Sequence, residues 1–402
     1  RDSLRFSRDS VRHAYVAGRD GRWHMVVDGH PGPDYDIIGS MPEFSPDGAR
    51  LAFAAGDDDG WWVVADGTPQ QRYAQIGSQP TFSPDSNHLA YWAQREADGD
   101  WVLVVDGEEL AHTSCDAHGG ETFSPDSQRI AAVIRQGDGW VVSIDGKAGD
   151  VWDAIGQGSF RFSPDSQRYA YGALRDGRWT VVVDGEAHET AKAVSQVGMQ
   201  FSADSAHFVY AAQRDDRWRV VFDGQDHRAF ESIVAESIAF SSDGRQLVYI
   251  AADASRQFVV HDGEVIAEAD EVRSVAFSPD GEHLAWLARD GHRWRLYVNG
   301  EPGAEAFEGV VNGAKVVFGD DRHCHTLVYR RPGPSFFRLE AALPGDAAPL
   351  AQAVAESAAP TDEPARPPAQ PTEKTTKNVA KTSFRLGSEP ASAGEVVEAP
   401  VE

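Results

Sequence analysis

A phenylalanine followed by a polar turn recurs at Phe6, Phe44, Phe82, Phe123, Phe162, Phe201, Phe240, Phe277 and Phe318, with an average spacing of about 39 residues. A chain with this period builds one small unit many times and buries each unit's apolar surface against its neighbours. Seventeen residues after most of these Phe stands a Trp (Trp23, Trp61, Trp140, Trp179, Trp218, Trp294), and Trp101 follows at nineteen because its loop is longer. Five residues after each Trp comes Asp-Gly, or Asn-Gly at Asn299.

Each repeat reads as four short strands. The first ends in Phe-Ser, as at Phe82-Ser83; the second is apolar, as from Leu89 to Ala93; the third is Trp-x-Val-Val-Val, as from Trp179 to Val183; the fourth carries an aromatic and then Ile, as at Tyr73 and Ile76. β-Branched and aromatic residues fill these runs and turn residues separate them. Asp-Gly suits a two-residue type I′ hairpin, whose two central residues both take positive φ. Ser-Pro-Asp supplies a Pro that presets φ and a carboxylate that bonds nearby amides. Four strands per 39 residues predicts an all-β chain of β-propeller blades, because each blade packs both faces and its middle strands must be apolar on both sides. A β-helix needs shorter coils, and a two-sheet sandwich does not repeat its turns at a fixed period. Nine blades in one ring are expected, with eight plus a partial unit as the alternative, since no fourth strand is evident in the ninth repeat.

Phe-Ser-Pro-Asp-Gly followed by Leu-Ala-Phe at residues 44 to 53, with close copies at 82 to 91 and 277 to 286, resembles the WD-like repeat of TolB-type propellers. The resemblance covers roughly residues 4 to 340 and implies a propeller that serves as a binding scaffold, a peptidase lid or a sensor module, in a periplasmic or extracytoplasmic setting. The Trp-x-Val-Val-Val-Asp-Gly strand is not part of that pattern and marks a separate branch.

From about Ala341 the composition turns to Ala, Pro, Glu and Thr with a single aromatic, Phe384. Residues 341–402 are therefore expected to form a disordered tail outside the propeller of residues 1–340. The chain begins at Arg1 and not Met, a start consistent with a removed leader or with further repeats upstream. With 37 Lys plus Arg against 63 Asp plus Glu, the net charge is −26, which repels phosphate backbones and disfavours nucleic acid as a partner. No apolar run approaches the ~20 residues of a membrane-spanning helix.

Asp stands three residues after Phe in all nine repeats, from Asp9 and Asp47 to Asp321. A feature present in every repeat belongs to the blade, so these Asp are expected to cap turns and not to bind calcium or catalyse. Function is better sought where repeats differ. The loops between second and third strands carry Arg19, Arg22, Arg95, Arg175, Arg214, Arg289 and Arg293, a series of guanidinium forks suited to carboxylates. Asp57, Asp58 and Asp59 interrupt the series in repeat two, and Trp62 lies beside them. Repeat three departs most, with Thr113 and Asp116 where siblings carry an aromatic and Ile. Its His112, Cys115 and His118 are a weak candidate metal set, because a three-residue period sends alternate strand side chains to opposite faces. His323-Cys324-His325 is weaker still. Gln257, where siblings have Trp, is expected to be a compensated packing change. The residue before each Phe is polar in the first six repeats and apolar in the last three, an asymmetry that would suit a ligand entering a channel from one side.

No Gly-x-Ser-x-Gly elbow occurs, and the stretch after the ninth repeat is too short for a hydrolase domain. The expected function is a non-enzymatic, monomeric scaffold without cofactor, holding a protein or peptide on the loop face that carries Arg19, Arg22, Trp62, Arg95, His112, His118, Arg175, Arg214, Arg289 and Arg293. A propeller lyase or hydrolase with its site at a channel mouth is the alternative, and a structural extracytoplasmic module a third reading.

Overall fold

The computed structural model describes residues 3–97, 99–113, 120–320, 323–330, 335–342 and 384–386. Every regular element among them is a strand, and the strands group into nine antiparallel sheets, one per repeat. None of the described residues forms a helix long and apolar enough to cross a membrane. Two compact units divide the chain, residues 1–196 with the sheets of repeats one to five and residues 197–402 with those of repeats six to nine.

Repeat two shows the plan. Glu43–Phe44 pairs with Leu51–Asp57, which pairs with Gly60–Ala65, which pairs with Thr68–Tyr73. Such a four-stranded antiparallel meander is a propeller blade, and the fold is a β-propeller. The hairpin at Asp66-Gly67 has φ of 52° and 80°, the paired positive values of a type I′ turn. The second strands are buried on both faces, as all six residues of Leu89–Gln94 are. One face packs backward and the other forward. Within the first unit, cores lie between consecutive sheets: Met25 and Tyr35 meet Phe53 and Val64, while Val63 and Tyr73 meet Tyr91 and Val104. The second unit repeats this, with Val220 and Phe230 against Tyr249 and Val260. Each such buried side chain contributes roughly 1.5–3 kcal/mol.

The turns at one end of the blades form a repeated polar lattice. In repeat two, Ser45 Oγ donates to Asp47 Oδ1, which also accepts from the Ala49 amide, while Ser45 Oγ accepts from the Arg50 amide. The hairpin Asp66 accepts from the Leu51 amide through Oδ1 and from Arg50 Nε through Oδ2. The turn carboxylates Asp9, Asp47, Asp85, Asp126, Asp165, Asp204, Asp243 and Asp280 all accept from the Ser two residues before them. In Asp85 and Asp126, as in Asp47, this bond holds the carboxyl below its usual range. Their turn-capping role is as the repetition implies; Asp321 lies outside the described residues. Ser86 occupies the left-handed region at φ 68°, where Gly is the usual choice. Its Oγ accepts from the Asp47 amide of the preceding repeat at 3.1 Å, a bond Gly cannot make.

Two expectations are corrected. The Ile that follows the aromatic is not part of the fourth strand: Ile37–Ile38 pairs with Gly56 and Ala55, and Gln75–Ile76 with Gln94 and Ala93, so the chain has already crossed to the next sheet. The ninth repeat is not left without a fourth strand. Its second and third strands are His323–Arg330 and Ser335–Ala342, and Phe384–Leu386 pairs with the latter. The propeller strands thus run past residue 340, and Phe384–Leu386 is drawn out of the expected tail. An edge strand with unpaired backbone groups accepts any extended segment that reaches it, whatever its composition.

Candidate functional site

The ends of the blades differ. Both the Ser-Pro-Asp turn and the Asp-Gly hairpin sit at the lattice end, because each flanks the start of the second strand. The turns between second and third strands sit at the other end with the crossings to the next sheet, and the Arg series lies there.

The structure gives each of these Arg a partner within its own neighbourhood. In the first unit, Arg22 Nη2 lies 3.1 Å from Asp36 Oδ1, and Arg19 lies 3.8 Å from Asp34. Arg95 donates through Nε to Glu109 Oε2 at 2.8 Å, which holds that carboxyl below its usual range. Arg175 donates to the Val151 carbonyl at 2.6 Å and lies 3.9 Å over the Trp152 ring. In the second unit, Arg214 reaches Asp226 Oδ2 at 2.7 Å, Arg289 reaches Glu271 at 3.1 Å, and Arg293 lies 3.6 Å from Glu308. The expected row of forks awaiting carboxylates is therefore a row of forks already holding protein groups, in most cases carboxylates. An acidic chain with Arg and Asp or Glu on adjoining strands closes these pairs internally, and exposed pairs of this kind contribute ~0–1 kcal/mol each.

The remaining candidates are also engaged within the fold. Asp57 takes Arg72 at 2.6 and 2.8 Å through both oxygens, and the Arg72 bond lowers its carboxyl; the acidic triplet is not a set of three unpaired carboxylates. Trp62 is half-buried against the first sheet, with the Arg72 guanidinium 4.7 Å from its ring. His112 is exposed opposite Val102, and its neighbour Thr113 is buried and donates to the Arg135 carbonyl at 3.1 Å. Cys115 and His118 lie outside the described residues. No group of three or more His, Cys, Asp or Glu stands close enough to hold a metal among the described residues. Cys324 is fully buried in the core of the last two sheets, and burial pushes its thiol up to about 12. Gln257 compensates as expected, since its Oε1 accepts from the Val272 amide at 2.6 Å.

Besides these pairs, this end exposes apolar groups. In the first unit Trp23, Ile37 and Val151 are 46%, 42% and 49% exposed; Trp23 and Ile37 adjoin the Arg22–Asp36 pair, and the Val151 carbonyl accepts from Arg175. The Trp of the other repeats are buried, as Trp101 and Trp294 are, or partly buried, and Trp23 is the exposed one of the series. It shares its strand face with Met25 and Val27, which pack against the second sheet, and it stands at the outer end of that face. The row before each Phe also has internal bonds: Glu43 accepts from Gln79 at 2.5 Å, and burial raises its carboxyl.

At the lattice end a cavity of about 460 Å³ opens between repeats three and four, beside His88 and Phe123. The signal for it is in the sequence: six residues after Phe, repeats one, two, four and five carry Arg, whereas repeat three carries His88.

No protein-family model and no curated protein matches the chain. Among solved structures, it is similar to TolB from Acinetobacter baumannii, at 15% identity over 67% of this chain and 80% of that one, with a TM-score of 0.27. It is also similar to the β-propeller domain of the Trilobed protease from Pyrococcus furiosus (16% identity; 68% of this chain, 97% of that; TM-score 0.30). A third likeness is to the Cps50 (Swd1) β-propeller domain of Myceliophteria thermophila (14% identity; 62% and 92%; TM-score 0.27).

Proposed function

We propose that the chain is a non-enzymatic scaffold that binds a protein or peptide at the end carrying the turns between second and third strands. The observation that supports this reading is the exposure of Trp23, Ile37 and Val151 beside Arg contacts that differ from repeat to repeat. Aromatic and aliphatic groups beside fixed charges supply both desolvation and orientation, the two things a specific interface needs. The lattice end is largely the same in each repeat and distinguishes its sectors poorly. A place among TolB-type propellers, which the Phe-Ser-Pro-Asp-Gly segments suggest, is part of the same proposal.

The test is capture of a partner from host extract with the full chain, followed by affinity measurement with two variants. Trp23→Ser with Ile37→Ser and Val151→Ser is expected to weaken binding at least ~10-fold, while Asp28→Asn with Asp184→Asn at the lattice end leaves it within ~2-fold. Loss in the second variant with retention in the first would mean that the partner binds the lattice end instead.

A further inference from the structure

Each repeat has to cover the Phe of the next. Repeats one, two and four do so with the Arg six residues after their own Phe: the guanidiniums of Arg12, Arg50 and Arg129 lie 5.4, 5.0 and 5.3 Å over the rings of Phe44, Phe82 and Phe162. In each case Nη1 also donates to two successive carbonyls of the next turn. Those are Gly48 and Ala49, then Ser86 and Asn87, then Ser166 and Gln167.

Repeats six and seven, in the second unit, reach the same end differently. The residue before their hairpin Asp is large: Phe222 stands 6.1 Å from Phe240, and His261 stands 5.9 Å from Phe277. Gln246 adds a bond to the Gly281 carbonyl at 3.2 Å.

Repeat three has neither device. His88 keeps only the Nε contact of its siblings, with Nδ1 2.6 Å from Asp106 Oδ2, and the residue before Asp106 is Val105. Among the described residues no side-chain donor reaches the carbonyl of Ser127 or Gln128. The 460 Å³ cavity stands there, floored by Phe123, Val105 and Leu110 and bordered by Asp106, Glu108, Asp145 and the Arg129 that pairs with Asp145 at 3.5 Å, within the ~300–1,000 Å³ typical of ligand clefts. Repeat eight also carries His283 and Val298, but the turn it faces lies partly outside the described residues.

From this we infer that the cleft between repeats three and four binds a guanidinium, carried by an arginine side chain of a partner polypeptide. The cleft presents a ring face, two successive carbonyls and a nearby carboxylate, which are the groups that hold Arg50 one repeat earlier. Arg50 divides its donors across one planar group, Nε to the hairpin carboxylate and Nη1 to both carbonyls, with the guanidinium over the ring; an ammonium has one nitrogen for all of these. The border carries three carboxylates, Asp106, Glu108 and Asp145, against the one guanidinium of Arg129; that balance favours a cation and opposes a free α-carboxylate, so the side chain of a peptide fits better than free arginine. This site is at the opposite end from the proposed interface and does not rest on it.

The test is a titration of the full-length protein with Nα-acetyl-L-arginine methylamide, followed by NMR. The lysine and citrulline counterparts and free L-arginine serve as comparisons. The arginine amide is expected to bind weakly, at about millimolar strength, and each comparison compound at least ~5-fold more weakly. His88→Arg, which restores the residue that repeats one, two and four use, should fold and lose at least ~10-fold in affinity. Val105→Phe, which copies the placement of Phe222, should do the same by filling the floor. No perturbation by the arginine amide, equal binding of the lysine compound, or unchanged affinity in both variants would overturn the site. Tighter binding of free L-arginine would overturn its assignment to a polypeptide.

Discussion

Arg50 and His88 occupy the same place in successive repeats, and the difference between them shows how a repeated fold acquires a local feature. Both hold the hairpin carboxylate behind them, Asp66 and Asp106. Both follow a Ser whose Oγ accepts their own amide. Only Arg50 extends forward, to two carbonyls and a ring of the next repeat. The imidazole is too short, so one junction is closed and the other is a cleft, although the strands on either side are alike. A repeat therefore tolerates loss of one forward contact when its backbone turn is satisfied internally, and that tolerance makes room for a site.

The largest effect that would test this comparison is common to both junctions. The turn carboxylates Asp47 and Asp85 are held below their usual range, first by the Ser bond and next by an amide. Depressed carboxyls stabilise the fold fully above the unfolded-state value of about 3.9, and that contribution is lost as pH falls through their folded values. Urea midpoints should therefore decline steadily from about pH 4 downward, and Asp85→Asn should flatten the slope more than Asp47→Asn, because Asn87 gives Asp85 a further side-chain bond where repeat two has Ala49. Equal flattening would mean that the Asn87 bond contributes nothing to the turn.

Next in size is the forward contact. Arg50→Ala removes charge-assisted bonds and ring contact and should cost about 2 kcal/mol in chemical denaturation. His88→Ala should cost about 1 kcal/mol or less, since it loses one partly exposed pair. Similar losses in the two variants would show that His88 has a forward partner after all. His88→Arg should gain about 1 kcal/mol, read as a raised urea midpoint with unchanged slope. The smallest effect is that of Ser86→Gly: relief of the left-handed Ser offsets the lost bond from Asp47, so stability should stay within about 0.5 kcal/mol of the parent.

Much of this is legible in the sequence because repetition averages away accidents. Asp-Gly at a fixed offset suits the type I′ hairpin, and Asp28, Asp66, Asp106 and Asp145 all adopt its positive φ. The Ser-Asp bonds follow from residue types two apart in a turn. The Arg series is misleading, because charge at a loop reads as available charge. Which carboxylate faces Arg95 or Arg289 depends on register between adjoining strands, and the strands bring Glu271 to Arg289 from eighteen residues away. The cleft is hidden although its signal, His88 among Arg siblings, is present. The six-residue offset has no meaning until the next repeat's Phe is known to lie under it.

The sequence by itself determined the blade: the period, the four strands, the hairpins and the capped turns. These depend on contacts within about twenty residues, where spacing alone fixes which groups can meet. Only the tertiary structure decided which charges are already paired, that Phe384–Leu386 joins the last sheet, and that the junction after repeat three lacks the guanidinium that spans those after repeats one, two and four. Those outcomes depend on how far a side chain reaches into the neighbouring sheet, and that distance is set by packing between repeats and not by spacing along the chain.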